Sequence, residues 1–301
     1  MKLPDFPVAV HTDSQMIDDA VLRWAETWLS NSDSEADWVI LERCSVQKLN
    51  WFACYLFPMM EINKLDGIAK LFFCLFTLDD LLDLMDGEDA ENFLEEMTNK
   101  KLEEGKFILS ELGLPIDFCY AQVLEYFSDE DQKEEFKCIW SSYIAGLQWE
   151  RKNRMESREP TLDEYQKLRP HSSGVYIAIH LLKGNMLDHT CDTRELESDI
   201  ARYIYLSNDL VSVAKESGIG DLHNEVILLS HDYGLDVAAR IVEGELIYLC
   251  KKIKQRGQLI SQISEECKIS VDSLFLLVGG CLFWSGESER YTDGEVQSQS
   301  S

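Results

Sequence analysis

Asp79, Asp80 and Asp83 close an almost wholly apolar run that extends from Ile68 to Leu78. Asp79 and Asp83 are four residues apart, so on a helix they share one face. Like charges at that spacing repel, and carboxylates at the end of an apolar helix also lose hydration. A hard divalent cation relieves both costs. Magnesium takes a few carboxylates and completes its shell with phosphate oxygens and water. Taken alone, the pattern reads equally as an acidic helix end facing water.

A second constellation lies far downstream, in the run from Tyr203 to Glu216. At ~100° per residue, Asn208, Ser212 and Glu216 fall within an arc of roughly 80°. Lys215 lies about 20° beyond Asn208 on the other side. An amide oxygen, a hydroxyl and a carboxylate thus line one helix face, three hard ligands suited to magnesium. The lysine beside them can hold an anion bound by the metal. Asp209 points ~100° away from Asn208 and falls off this face. The neighbours Tyr203, Ile204, Leu206, Val211 and Val213 predict that the helix is substantially buried.

The elements that must carry these groups read as helices. Apolar residues recur at helical spacing in Ala20 to Leu29, Phe136 to Leu147, Tyr176 to Leu182, Ile200 to Val213, Val237 to Ile253 and Val271 to Trp284. Strand-like alternation with tight hairpin turns is scarce, and only six prolines interrupt the chain. The expectation is an all-α fold, one helical domain over 1–291 followed by a polar, disordered tail over 292–301. The acidic stretches Asp86 to Glu104 and Ser128 to Glu135 read as solvated helix faces and loops.

Composition removes several classes. The 301 residues carry 28 basic and 55 acidic side chains, a formal charge of −27. That excess argues against a nucleic-acid partner and against anionic lipid. The nine cysteines are scattered with no CxxC pair, which fits reduced thiols packed as small hydrophobes in a cytosolic protein. The first residues hold no apolar signal region, and Ile68 to Leu78 is too short to span a bilayer. None of the six histidines forms an HExxH or other close ligand pair, so all six read as packing or surface residues. GxSxG, Rossmann and P-loop patterns are absent.

Together the two constellations resemble the paired motifs of class I terpene synthases. Asp79-Asp80-Leu81-Leu82-Asp83 is similar to the family's DDxxD. Asn208 to Glu216 is similar to its NDxxSxxxE, with Lys215 in the usual place before the glutamate. The order and separation match the short, single-domain microbial type. Arg169-Pro170-His171-Ser172-Ser173-Gly174 resembles the family's diphosphate-sensing segment, with Pro170 where a second basic residue often stands. That likeness implies Arg169 as sensor, Ser172 as linker and the backbone of Gly174 or Ser173 as effector. Arg290 and Tyr291 resemble the closing Arg-Tyr pair.

The resemblance implies a helical bundle around a deep apolar pocket. Asp79, Asp83, Asn208, Ser212 and Glu216 would bind three Mg²⁺ ions, and Arg169, Lys215, Arg290 and Tyr291 would bind diphosphate. The implied reaction expels diphosphate from a prenyl diphosphate, with fifteen or twenty carbons favoured, and cyclises the cation to a terpene. Phe52, Phe72, Phe73, Phe76, Tyr176 and Trp284 are candidates to face that cation. The expected protein is a cytoplasmic monomer or homodimer. Two other readings stay open: a chain-elongating prenyltransferase, which normally carries two aspartate-rich motifs, and a catalytically silent helical binding protein.

Overall fold

The computed structural model describes residues 6–29, 35–85, 87–99, 108–109, 114–186 and 191–288. Its helices are α1 (Ser14–Leu29), α2 (Glu35–Val46), α3 (Leu49–Leu56), α4 (Ile62–Leu84), α5 (Gly87–Asn99), α6 (Ile116–Leu124), α7 (Glu130–Met155), α8 (Leu162–Ser172), α9 (Val175–Met186), α10 (Arg194–Ile219), α11 (Glu225–Tyr233), α12 (Leu235–Ser261) and α13 (Glu265–Glu287). Every periodic segment read from the sequence lies inside one of them. The departure is a two-residue antiparallel ladder, β1 (Ile108–Leu109) against β2 (Leu114–Pro115). Two residues per strand cannot build a packing layer, so the fold remains all-α.

Local chemistry sets several helix ends. Asp129 caps α7 by accepting from the Asp131 amide at 3.0 Å, and acidic residues open that helix while Lys152 and Arg154 close it. Thr161 and Glu164 form a reciprocal capping box at the start of α8. At the end of α10, Gly220 and Asp221 donate their amides to the Ser217 and Glu216 carbonyls.

Helix α4 is apolar nearly all round, as a helix inside a bundle should be. Ile68, Ala69, Leu71 to Leu75 and Leu78 are all buried. Lys70 is accommodated by Asp66 at 2.5 Å and by the Trp24 ring. The surrounding core is continuous, from Phe6 through α1, α3, α4, α7, α9, α10 and α12 to Trp284 on α13. In the first acidic stretch, α5 buries Ala90, Leu94 and Met97 at helical spacing and leaves Glu88, Asp89 and Glu91 toward solvent. Among the described residues α13 is the one helix long and apolar enough to cross a membrane. It packs instead against α3, α9, α10 and α12.

Candidate active site

A cavity of about 730 Å³ opens between α3, α4, α7, α10, α13 and the break between α8 and α9. Two helices give it a polar end and an apolar interior. On α4 the lining residues are Phe72, Leu75, Phe76 and then Asp79, spaced along one face. On α10, Ile204, Tyr205 and Ser207 are followed by Asn208, Ser212, Lys215 and Glu216. In chain order, α4 passes from hydrocarbon lining to the Asp79 carboxylate, and α10 from Ile204 to a polar stretch that ends at Glu216. Arg169, Ser172, Ser173 and Gly174 line the same space.

The structure thus brings most of the expected site residues into one cavity: Asp79, Arg169, Gly174, Asn208, Ser212, Lys215 and Glu216. The Asp83 side chain lies outside the described residues, although its backbone continues α4 one turn beyond Asp79. Arg290, Tyr291 and the tail 292–301 also lie outside them.

The donor set suits a hard cation. Asn208, Ser212 and Glu216 offer oxygen ligands, and the Ser212 hydroxyl already donates to the Asn208 carbonyl at 2.8 Å. Burial pushes the Glu216 carboxyl up to about 7, with Arg169 pulling it back down. A bound cation would offset the same burial cost. Among the described residues no three His, Cys, Asp or Glu side chains form a ready-made cage. Two of the three candidate α10 ligands are Asn and Ser, types outside such a cluster, and magnesium normally completes its shell with water and phosphate oxygens.

Arg169 is held in place by three side chains. Nη1 donates to Glu150 Oε1 at 3.2 Å, Nη2 donates to Asn208 Oδ1 at 3.3 Å, and Asp209 Oδ1 stands 3.6 Å from Nη2. Burial works against the guanidinium charge, but Tyr165, Asp209, Glu150 and Glu216 outweigh it. Ser172 donates to the same Glu150 oxygen at 2.5 Å. Glu150 therefore couples Arg169 to Ser172, and no sequence signal marks it for this role. The contact depends on Gly146, one turn earlier on α7, because a Cβ there would lie 2.9 Å from the Ser172 Cα.

The backbone breaks between Ser172 and Val175, within the segment that resembles the diphosphate sensor. Gly174 adopts φ 71°, a left-handed conformation that favours glycine. Its carbonyl accepts from the Ile177 and Ala178 amides at 3.0 and 3.3 Å, which starts α9. Of the two effector carbonyls considered, Gly174's is therefore engaged in the next helix.

Asp209 falls off the ligand face, as the wheel predicts, but it is not idle. It is fully buried, accepts from Tyr165 Oη at 2.7 Å and from the Glu225 amide at 3.0 Å, and flanks Arg169. Burial raises its pKa to about 6, against the pull of Arg169. The Asp209→Ala variant should lose on the order of 3 kcal/mol of stability, because it removes the acceptor of the buried Glu225 amide, the nearer of two acceptors of the Tyr165 phenol and the carboxylate beside the buried Arg169. Urea unfolding measures this. An unchanged midpoint would show that the Tyr165–Asp209–Arg169 contacts do not support the fold.

Two expectations from the sequence are corrected here. Phe73 packs against Trp24 at 6.5 Å and Tyr176 lines a separate, smaller pocket, so neither faces the main cavity. Their helix faces point elsewhere, which apolarity alone does not reveal. Phe52, Phe72, Phe76 and Trp284 do line it, with Phe52 at 4.8 to 5.2 Å from the other three rings. His223, read as a packing or surface residue, also lines the cavity. It is buried, pairs with Asp221 through Nδ1 at 2.7 Å and accepts from Asn153 Nδ2 at 3.1 Å. Asp221 in turn binds Arg154 at 2.6 Å.

Comparison with known proteins gives a consistent picture. Residues 70–244 match the family described as "Terpene synthase family 2, C-terminal metal binding". The chain is 24% identical to a 4-epi-cubebol synthase ((2E,6E)-farnesyl diphosphate cyclizing) from Streptosporangium roseum, covering 96% of this chain and 90% of that one. It is 22% identical to a (+)-eremophilene synthase from Sorangium cellulosum, covering 95% and 91%. The fold superposes on a single-substitution variant of cucumene synthase with a TM-score of 0.76 at 18% identity, over 95% and 99% of the two chains. A linalool/nerolidol synthase from Streptomyces clavuligerus gives 0.76 at 15% identity, over 95% and 100%.

Proposed function

This chain belongs to terpene synthase family 2, and on that premise we propose that it ionises a fifteen-carbon prenyl diphosphate with Mg²⁺ and cyclises the resulting cation. It is a terpene synthase, a lyase acting on a diphosphate, and it uses a divalent metal. The observation that carries the finer reading is the shared cavity. The Asn208, Ser212 and Glu216 ligands, the Asp79 carboxylate and the Arg169 and Lys215 cations line the same space as four clustered aromatic rings. The printed activity of the Streptosporangium relative supports the fifteen-carbon choice.

Three bound Mg²⁺ ions would neutralise the diphosphate and act as Lewis acids on its oxygens. The chain's own residues do the rest. Asp79 and Asp83 on α4, with Asn208, Ser212 and Glu216 on α10, would hold the cations. Arg169 and Lys215 bind phosphate oxygens, Arg169 through a planar fork. Arg169 Nη2 donates to Asn208 Oδ1 at 3.3 Å, so the sensor candidate stands directly beside a candidate metal ligand. Arg290 and Tyr291 would add donors and shut the cavity, and the backbone of Ser173 or Gly174 would assist ionisation. The Phe52, Phe72, Phe76 and Trp284 faces stabilise positive charge and exclude water.

One domain would span 1–291, with the tail 292–301 apart from it. The described cysteines form no disulfide and most are buried, which supports a cytoplasmic enzyme, and α13 serves it as a core helix. Either a monomer or a homodimer is compatible with this reading. The second motif is of the Asn/Ser/Glu type, so chain elongation is not favoured.

The test is incubation of pure protein with ten-, fifteen- and twenty-carbon diphosphates and Mg²⁺, followed by mass spectrometry of the volatile products. A cyclic hydrocarbon from the fifteen-carbon substrate is expected. In a parallel incubation that adds isopentenyl diphosphate, extension to a longer prenyl diphosphate with no hydrocarbon would overturn the reading. A Phe52→Leu variant should keep diphosphate release within about thirtyfold of the parent yet change the product mixture, since a cation–π contact is worth about 0.5–2 kcal/mol. An unchanged mixture would remove Phe52 from the cation's path.

A further inference from the structure

Asn224 is wholly buried just beyond α10 and takes no part in the chemistry described above. Its side-chain oxygen caps α11, accepting from the Val226 and Ile227 amides at 2.8 and 3.3 Å. Those amides are donors only, so they fix which end of the side chain is oxygen. The Nδ2 end must face α10. There it donates to the Asp209 carbonyl at 2.6 Å and to Glu216 Oε2 at 2.7 Å, with Ser212 Oγ 3.5 Å away. An NH₂ group has two hydrogens, and the two short contacts use both.

From this geometry we propose that Asn224 is a positioning residue that anchors Glu216 Oε2, so that Oε1 is the oxygen offered to a cation. The inference rests on the reading of Glu216 as a metal ligand. A glutamate side chain gives up rotamer freedom when it is fixed in one orientation. Asn224 meets that cost within the folded protein, before any metal arrives. The turn through Gly220 to His223 makes the contact possible, because it brings a residue eight positions after Glu216 back beside it. The same side chain ties the start of α11 to the ligand face of α10, so the orientation of the carboxylate is set by the packing of two helices.

The test compares Asn224→Asp and Asn224→Ser with the parent enzyme. Asn, Asp and Ser all cap helices well, so a residue that only capped α11 would tolerate both changes. Asp keeps the shape but turns an acceptor toward Oε2, and Ser keeps the cap but cannot bridge to Glu216. The readouts are the melting temperature without ligand, and titration calorimetry with Mg²⁺ and inorganic diphosphate. The expected result is a melting temperature close to the parent's with an affinity for Mg²⁺–diphosphate about 10- to 100-fold weaker, the usual scale for a lost group behind a metal ligand. Parent-like affinity in Asn224→Asp would overturn the positioning role and leave Glu216 as a ligand. Should Asn224→Asp fail to fold, Asn224→Ser decides by itself: weakened affinity supports the role, and parent-like affinity overturns it. No binding of Mg²⁺–diphosphate by the parent would overturn the ligand assignment and this inference together.

Discussion

Replacing Glu216 with alanine should lower kcat by about 100- to 1,000-fold, because it removes charge stabilisation needed only as the diphosphate departs, worth about 3–4 kcal/mol. Asn208→Ala and Ser212→Ala should fall in the same direction, since the three side chains share one helix face and one cavity. Chelation should abolish product formation in the parent enzyme, and added Mg²⁺ should restore it. The discriminating measurement is kcat as a function of Mg²⁺ concentration. A ligand loss shifts the half-saturating Mg²⁺ upward as well as lowering the plateau. Full turnover after chelation, or a Glu216→Ala enzyme with parent kinetics, would sink the metal mechanism.

The second large effect is expected at Arg169. Arg169→Ala should cost about 100- to 1,000-fold in kcat/KM, the scale for a donor aimed at a leaving anion. Arg169→Lys should recover little of it, because an ammonium cannot reach Glu150, Asn208 and the diphosphate with a single planar fork. Glu150→Gln is the informative companion. It removes the charge that holds Arg169 and accepts from Ser172, yet should leave the binding of inorganic diphosphate nearly intact. If Glu150 orients the sensor segment, kcat falls while KM moves little. Equal losses in both parameters would mean that Glu150 supports the local fold rather than the orientation of Arg169.

The face of α10 shared by Asn208, Ser212 and Glu216 was legible in the sequence because helical periodicity is a local property of the backbone. Once residues 203–216 are helical, the relative directions of Asn208, Ser212 and Glu216 follow from ~100° per residue. Asp79 near the end of an apolar helix was legible for the same reason. Asp209 shows the boundary of that reasoning. The wheel correctly removes it from the ligand face, but its partners Tyr165 and Arg169 lie on α8, far back in the chain. Phe73 and Phe72 show it again. They are adjacent and chemically identical, yet only Phe72 lines the cavity.

By itself the sequence determined an all-α chain, the two oxygen-rich motifs, the side of each helix that carries them and the family to which they belong. Only the tertiary structure decided that Glu150 links Arg169 to Ser172, that Asn224 contacts Glu216, and which aromatic rings face the cavity. The physical reason is the range of the interactions. Helical direction is set by backbone geometry within a few residues. A buried hydrogen bond between α7 and α8, or between the start of α11 and α10, exists only after packing has brought those helices together.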